Sequence, residues 1–190
     1  MFTMCCDKFK GKYRIDSARA KWHDYDDGFY FITICTKNRE CFFGSIQNNK
    51  MILSETGEYT EQKLQTINNH YLYAEILLWT IMPNHIHMIL SIDGTKLPFK
   101  KRDMPIFQQN ESSGTDQTPI EKATETQSWL SNVVCQFKQS IKRFTNQKKI
   151  DFAWQARFHD HIIRNQKEMD FISEYIENNV MKWNEDRFYC

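Results

Sequence analysis

Residues 74–92 read Ala74-Glu-Ile-Leu-Leu-Trp-Thr-Ile-Met82-Pro-Asn-His85-Ile-His87-Met-Ile-Leu-Ser-Ile92, and they carry the strongest strand signal of the chain. It consists of two short apolar runs with Pro83-Asn84 between them, a pair that favours a tight connection. Both runs have the length of a strand and are bounded by turn residues. The pattern therefore predicts two adjacent buried strands, over 74–82 and 85–92, at the centre of a sheet.

Strands and helices follow one another irregularly on either side of this pair. Upstream, a β-branched and aromatic run predicts a strand at 29–36, and we also expect a short strand around 41–43, another at 51–53 and a helix over 57–70. Downstream, apolar residues three and four apart predict helices over 129–144 and 166–179, with a strand at 156–164 between them. A parallel sheet would need regular βα alternation, so we predict an α+β fold with an antiparallel sheet and helices packed on it.

Length and composition fit one globular domain. The chain has 190 residues, of which 41% are hydrophobic and 26% charged, so we expect a single domain over 1–190. Residues 94–126 contain three of the four prolines and little periodicity, which predicts a flexible insertion. Because no apolar run approaches the roughly 20 residues that span a bilayer, and the first residues lack the order of a signal peptide, we expect a cytoplasmic protein without a membrane partner.

The cysteines and the charge say little about function. Without an export signal we expect all the cysteines to be reduced thiols, and the lack of a C-x-x-C pair argues against a structural zinc module. These cysteines are Cys5, Cys6, Cys35, Cys41, Cys135 and Cys190. The formal net charge is +1, but cations concentrate in an arm over 8–21 and in the helix over 138–149. Such segments either contact phosphates or are solvated faces.

Two histidines in the second central strand are the first candidate for a chemical site. Side chains alternate faces along a strand, so His85 and His87 project to one side and Ile86 to the other. Two adjacent imidazoles can share one metal ion, and the bland alternative is a pair of satisfied, partly buried histidines. His159 and His161 form a second pair with the same spacing, and they are the rival metal site.

The last helix contributes a tyrosine and an asparagine four residues apart. Tyr175 and Asn179 share one helix face, although a tyrosine there usually packs its ring and exposes its hydroxyl. Together with the histidine motif, this block resembles the REP-associated tyrosine transposases, the single-tyrosine members of the HUH endonuclease superfamily. The similar blocks, in the order of that family, are Tyr13-Arg-Ile-x-x-Ala18-Arg19, Gly28-x-Tyr-Phe-Ile-Thr33, Phe43-Gly44, Met82-Pro-Asn-His-Ile-His87, Trp154-Gln-x-Arg157, Asp160-His-Ile-Ile-Arg164 and Tyr175-Ile-x-x-Asn179.

The resemblance implies a fold and a mechanism. The fold would be a ferredoxin-like or RRM-like antiparallel sheet with helices packed on it. Tyr175 would be the nucleophile, and His85, His87 and Asn179 would hold Mg²⁺ or Mn²⁺. The enzyme would be a site-specific single-stranded DNA endonuclease and strand transferase, a transposase that works through a 5′-phosphotyrosine. One departure from the family is Val180, where relatives usually have proline, so the helix is expected to end less abruptly.

The same resemblance suggests single-stranded or hairpin DNA as the partner. Eight basic residues are expected to contact its phosphates, with an affinity that falls steeply with salt; they are Lys12, Arg14, Arg19, Lys138, Lys142, Arg143, Arg157 and Arg164. Relatives include dimers and apparent monomers, so a homodimer stays open. Two other functions remain: a domesticated DNA-binding or regulatory protein that keeps the fold without cleavage, and a sheet-based RNA-binding module without a metal.

Overall fold

A computed structural model describes residue 23 and the ranges 25–98 and 128–189. Within these residues there are six strands and three α-helices. In chain order they are β1 (Gly28–Cys35), β2 (Gly44–Gln47), β3 (Lys50–Leu53), α1 (Glu55–His70), β4 (Ala74–Ile81), β5 (His85–Ile92), α2 (Trp129–Gln147), β6 (His159–Ile163) and α3 (Gln166–Asn178). The arm over 8–21 and most of the insertion predicted at 94–126 lie outside these ranges.

Four of the strands form one antiparallel sheet in the order β4-β5-β1-β6. Without the separate β2–β3 hairpin, the chain runs βαββαβ through this sheet, which is the ferredoxin-like arrangement. The predicted α+β class with an antiparallel sheet is therefore confirmed. The two strands predicted within residues 74–92, β4 and β5, are neighbours in this sheet, and the bounds of β5 match the prediction.

The alternation of side chains divides the core into two layers. Even-numbered residues of β1 and β5 pack with α1 and α2 in the main cluster, where Ile32, Ile86 and Leu90 are fully buried. On the other face of the sheet, Ile89 packs with residues of β6 and α3 in a smaller cluster. The face that carries odd-numbered residues of β5 therefore lies under α3, and this positions the site described below.

The prediction of a short strand around 41–43 is wrong, because β2 starts only at Gly44. Gly44 has a φ of +141°, and a Cβ atom there would lie 2.0 Å from the carbonyl oxygen of Ile52, so this strand start requires glycine. The sequence signal for this hairpin is the turn that follows β2, which the predictions above did not include. Asn48 and Asn49 both have positive φ, which suits the two central residues of a tight hairpin and creates the β2–β3 pair.

The remaining elements differ from the predictions mainly at their ends. Helix α1 begins two residues earlier than expected, because the Ser54 hydroxyl accepts a hydrogen bond from the Gly57 amide and caps it. Strand β6 is shorter than 156–164, and Arg157 just before it has a φ of +68°, which is incompatible with extended pairing. No helix among the described residues is both long and apolar enough to cross a membrane.

One expectation about the cysteines is also wrong. Cys41 is disulfide-bonded, so it is not a reduced thiol. Cys35 and Cys135 are free, as expected.

Candidate metal and tyrosine site

The two histidines of β5 lie side by side on the face of the sheet that α3 covers. Their Nε2 atoms are 3.1 Å apart, and both side chains are almost completely buried, His85 at 0% and His87 at 1% exposed. Ile86 between them belongs to the opposite layer. The strand period that predicted a shared face therefore places two ring nitrogens where one cation could contact both.

Each imidazole is oriented through its other ring nitrogen. Nδ1 of His85 lies 2.8 Å from Oδ1 of Asn84, and Nδ1 of His87 lies 2.9 Å from the hydroxyl oxygen of Thr33 on the neighbouring strand. An acceptor at Nδ1 keeps the proton on that nitrogen and leaves the lone pair of Nε2 for a metal. Asn84, in the connection between β4 and β5, is itself held by its amide, which donates to the carbonyl of Phe188.

Helix α3 brings Tyr175 to this pair. The helix is capped by the Asn165 side chain and packs on the sheet through Ile172 and Ile176. Tyr175 then lies against His87, with its hydroxyl oxygen 3.2 Å from Nε2 of that histidine. The ring meets Phe31 edge to face at a centroid distance of 6.0 Å, while 39% of the side chain stays exposed. The whole arrangement is formed within one chain.

Asn179 lies beside the same centre, at the end of the last turn of α3. It is the C-cap of the helix and keeps helical dihedral angles, and turns continue to Lys182. The effect of Val180 in place of proline on the helix end stays a prediction. The side chain is 3% exposed, and its Nδ2 faces Oδ2 of Asp186 at 3.4 Å. Oδ1 of Asn179 is buried and has no hydrogen-bond partner among the residues described.

Asp186 is the residue of this site that sequence reasoning missed. It follows a 3-10 turn, Trp183–Glu185, and its Oδ2 lies 4.0 Å from Nε2 of His85. Its Oδ1 accepts a hydrogen bond of 2.7 Å from the Phe188 amide, so the carboxylate is held in place. The ligand atoms of His85, His87 and Asp186 all lie within 4.8 Å of one another.

The electrostatics keep the histidines neutral. Burial lowers the pKa of His85 to about 2, with a further contribution from His87. Burial also lowers the pKa of His87 to about 3, helped by the positive charge of Arg187. A neutral imidazole is the form that binds a metal. Burial raises the pKa of Tyr175 and Asp186 raises it further, whereas a hydrogen bond from Asn179 and the charge of Arg187 act in the opposite direction.

This donor set suits a divalent cation. It offers two imidazole nitrogens and one carboxylate close together, and the buried amide oxygen of Asn179 beside them accepts no hydrogen bond from the described residues. Nitrogen and oxygen donors of this kind fit Mn²⁺, and the oxygens fit Mg²⁺. The residues present therefore fit the metal that the sequence led us to expect.

The rival histidine pair is arranged differently. His161 lies on β6, where its Nε2 is 2.6 Å from a carboxylate oxygen of Glu168 in the first turn of α3. His159 pairs with Thr33 across the sheet and is exposed. In the described part of the chain, the one group of three or more metal-ligating side chains is the group that contains His85 and His87.

The basic residues expected to contact DNA have different surroundings. Lys138 donates to the carbonyls of Gln155 and Arg157, and Lys142 donates to that of Phe152, so both ammonium groups tie the 152–157 segment to α2. Arg143, Arg157 and Arg164 are exposed. Two of these residues thus hold the backbone of the chain, and three are exposed to solvent. Their contact with DNA stays a prediction. Lys12, Arg14 and Arg19 fall outside the residues that the structure describes.

Comparison with curated proteins reveals a clear relative. A protein of Haemophilus influenzae, described as uncharacterized, is 35% identical over 180 residues, which cover 91% of this chain and 92% of that protein. The chain belongs to the same family. No protein-family model matches it.

Solved structures include two transposases that resemble this family member weakly. A REP-associated tyrosine transposase bound to a REP hairpin has a TM-score of 0.48 and 19% identity, over 87% of this chain and 74% of that chain. A proposed transposase from Deinococcus radiodurans has a TM-score of 0.37 and 14% identity, over 85% of this chain and 97% of that chain. Both TM-scores lie below 0.5, so the fold assignment rests on the sheet order and register given above.

Proposed function

We propose that this protein is a metal-dependent DNA endonuclease and strand transferase of the single-tyrosine transposase type. The observation that carries the proposal is the position of the Tyr175 hydroxyl, 3.2 Å from Nε2 of His87 in a buried histidine pair. A nucleophile next to a prospective metal site is the minimal requirement for phosphoryl transfer from DNA to protein. The motifs at 82–87 and 175–179, which resemble those of REP-associated tyrosine transposases, support the same function.

The proposed reaction exchanges one phosphodiester for another. The hydroxyl oxygen of Tyr175 attacks the scissile phosphorus and the bond from phosphorus to the 3′ oxygen breaks, so the downstream DNA fragment becomes attached to the tyrosine through its 5′ phosphate. The phenol loses its proton, and the leaving 3′ oxygen takes one up to become a hydroxyl. Because the bond energy is retained, a 3′ hydroxyl can later reverse the step on another strand without ATP. DNA transposition and recombination need this property.

The residues of the chain have separate tasks in this step. Helix α3 and the ring of Phe31 hold the phenol, and the nearby positive charge of Arg187 partly offsets the burial that raises its pKa. His85, His87, Asp186 and Asn179 would hold Mg²⁺ or Mn²⁺. When bound, the cation would offset the charge that develops on the phosphate oxygens.

Single-stranded or hairpin DNA is the proposed substrate. The solved transposase with a bound REP hairpin is a relative in fold at most, so this part of the proposal rests on the sequence motifs and on the charges of the chain. Arg143, Arg157 and Arg164 are exposed cations that can contact phosphates. We expect the affinity to fall steeply as salt concentration rises.

A covalent-adduct assay tests the function. The protein is incubated with Mn²⁺ and labelled hairpin oligonucleotides from the regions flanking its gene, and adducts are resolved on a denaturing gel. Wild type should form an adduct, and Tyr175→Phe should form none while still binding the DNA. Because Tyr175 is partly exposed, the phenylalanine variant should fold normally. An adduct in the Tyr175→Phe variant would contradict the proposed nucleophile.

One observation favours the binding-only alternative. His85 is fully buried and its ring is covered by Phe188, at a centroid distance of 4.6 Å. A domesticated protein could keep such a closed site for stability alone. The same assay decides, because a binding-only protein would retain the hairpin oligonucleotides without forming any adduct.

A further inference from the structure

A cleft of about 290 Å³ opens beside Tyr175, at the end of α3. Its walls come from the end of α3 and from the segment that follows it. Two of the lining side chains, Asn179 and Asp186, also belong to the prospective metal site. Two others, Lys182 and Arg187, are cations. Tyr175 itself lines the cleft, so a phosphate bound in it would lie next to the proposed nucleophile.

The backbone of Arg187 is held firmly at the edge of this cleft. Its carbonyl oxygen accepts a hydrogen bond of 2.9 Å from the guanidinium of Arg39. On either side, the Asp186 carboxylate accepts from the Phe188 amide, and the Phe188 carbonyl accepts from Asn84. These bonds fix residues 186–188 to the connections that follow β1 and β4, so the arginine side chain projects from an ordered support.

The guanidinium of Arg187 is also placed close to the histidines. It lies over the Phe188 ring, with 4.6 Å between its central carbon and the ring centroid, and the same ring is 4.6 Å from that of His85. One aromatic ring thus separates the arginine from the prospective metal site. The positive charge is near enough to lower the pKa of Tyr175 and of both histidines.

We infer that Arg187 binds the scissile phosphate and so acts as a catalytic residue of the proposed reaction. This inference rests on the proposed function. A guanidinium presents parallel N–H donors that match two phosphate oxygens, and it stays charged at any working pH. Arg187 meets this need because it is exposed at the cleft while its backbone is fixed. Its two donors would hold the non-bridging oxygens while Tyr175 attacks the phosphorus, and no proton leaves the arginine.

Lys182 provides the matched control, since it is an exposed cation of the same cleft whose backbone amide bonds only to the end of α3, to Asn178 and Asn179. The first experiment measures the rate of adduct formation with Mn²⁺ and a pool of hairpin oligonucleotides with randomised single-stranded tails. Arg187→Gln should slow the reaction about 100-fold, as loss of one transition-state donor does elsewhere, and Arg187→Lys should fall between it and wild type. Lys182→Gln should stay within about 3-fold of wild type. Equal slowing of Lys182→Gln and Arg187→Gln would overturn the inference, because general charge would then explain the effect.

A second experiment separates this inference from the proposed function, because it needs no turnover. The melting temperature of the Mn²⁺-loaded protein is measured with and without millimolar inorganic phosphate. Phosphate should raise the melting temperature of wild type and of Lys182→Gln, and clearly less that of Arg187→Gln. A rise of equal size in all three, or no rise in wild type, would overturn the role of Arg187. Failure of wild type to form any adduct, with the phosphate effect intact, would instead count against the proposed function.

Discussion

The hydroxyl oxygen of Tyr175 lies 3.2 Å from Nε2 of His87, although 88 residues separate the two in the chain. The contact joins the last helix to the central strand of the sheet. It exists because α3 packs on the sheet through Ile172 and Ile176, which are one turn apart and bracket the tyrosine. The apolar spacing of one helix therefore places a phenol within hydrogen-bond distance of a buried imidazole.

The histidine pair of β5 should carry the metal-dependent activity. His85→Ala removes a ring nitrogen that lies 3.1 Å from that of His87, so Mn²⁺ should no longer raise the melting temperature and adducts should disappear. His159→Ala is the matched control, because it removes an exposed histidine of the same sheet face. We expect this control to keep both effects. If His85→Ala kept full activity and His159→Ala lost it, the metal would belong to the second pair.

Asp186 should contribute to metal affinity. Asp186→Asn keeps the shape of the side chain and an oxygen for the Phe188 amide, but it removes the negative charge near His85. Calorimetric titration with Mn²⁺ should show an affinity at least about 10-fold lower than that of wild type, the size of effect typical for residues around a metal. Glu185→Gln changes the neighbouring exposed carboxylate and should leave the affinity unchanged. Equal affinities in wild type and Asp186→Asn would exclude the carboxylate from the site.

The metal-free protein should lose stability in acid. His85 and His87 titrate in the folded protein at a pKa of about 2 and about 3, below the ordinary value of 6.5. At pH values between the folded and the ordinary pKa, the unfolded chain therefore binds more protons than the folded chain. The contribution of the two neutral histidines to the free energy of unfolding is thus complete above pH 6.5 and is lost as the pH falls towards 3. Each histidine should add a slope of about 1.4 kcal/mol per pH unit in this window.

Urea denaturation at a series of pH values measures this slope. The variant His87→Phe, which cannot take up a proton, should show a smaller loss of stability in acid than wild type. An identical pH dependence in the two proteins would contradict the buried, neutral state of the pair.

The β2–β3 hairpin should depend on the glycine at its start. Gly44→Ala would place a Cβ atom 2.0 Å from the carbonyl of Ile52 at a backbone angle that favours glycine, so the free energy of unfolding should fall by more than about 1 kcal/mol. Gly94→Ala is a milder control, because its nearest backbone atom is 3.1 Å away. Thermal unfolding of both variants checks the difference. Equal melting temperatures for Gly44→Ala and wild type would contradict the strand start described above.

Much of this site could be predicted because it follows simple periods. The alternation along a strand places His85 and His87 on one face, and the spacing of four along a helix places Tyr175 and Asn179 on another. Each pair is a local property of the sequence. That the two faces meet depends on the sheet order and on the packing of α3, which the resemblance to a known family supplied and composition did not.

Asp186 could not be predicted, because no local period of the sequence places it near the histidines. It lies in an irregular segment after a 3-10 turn, where no period relates it to the histidines, and a single aspartate near a chain end is an ordinary surface residue. The lysines of α2 show the opposite problem. Lys138 and Lys142 look like a charged face in sequence, yet their ammonium groups donate to backbone carbonyls of the 152–157 segment. Such partners are visible only in three dimensions.

The most direct test of the central claim is to find the amino acid that becomes attached to DNA. Wild-type protein is reacted with Mn²⁺ and the hairpin oligonucleotide pool, digested with nuclease and protease, and searched by mass spectrometry for a peptide that carries a nucleotide phosphate. We predict a single modified peptide with the phosphate on Tyr175. Attachment at another tyrosine, or unmodified peptides throughout while the protein still binds the DNA, would contradict the account.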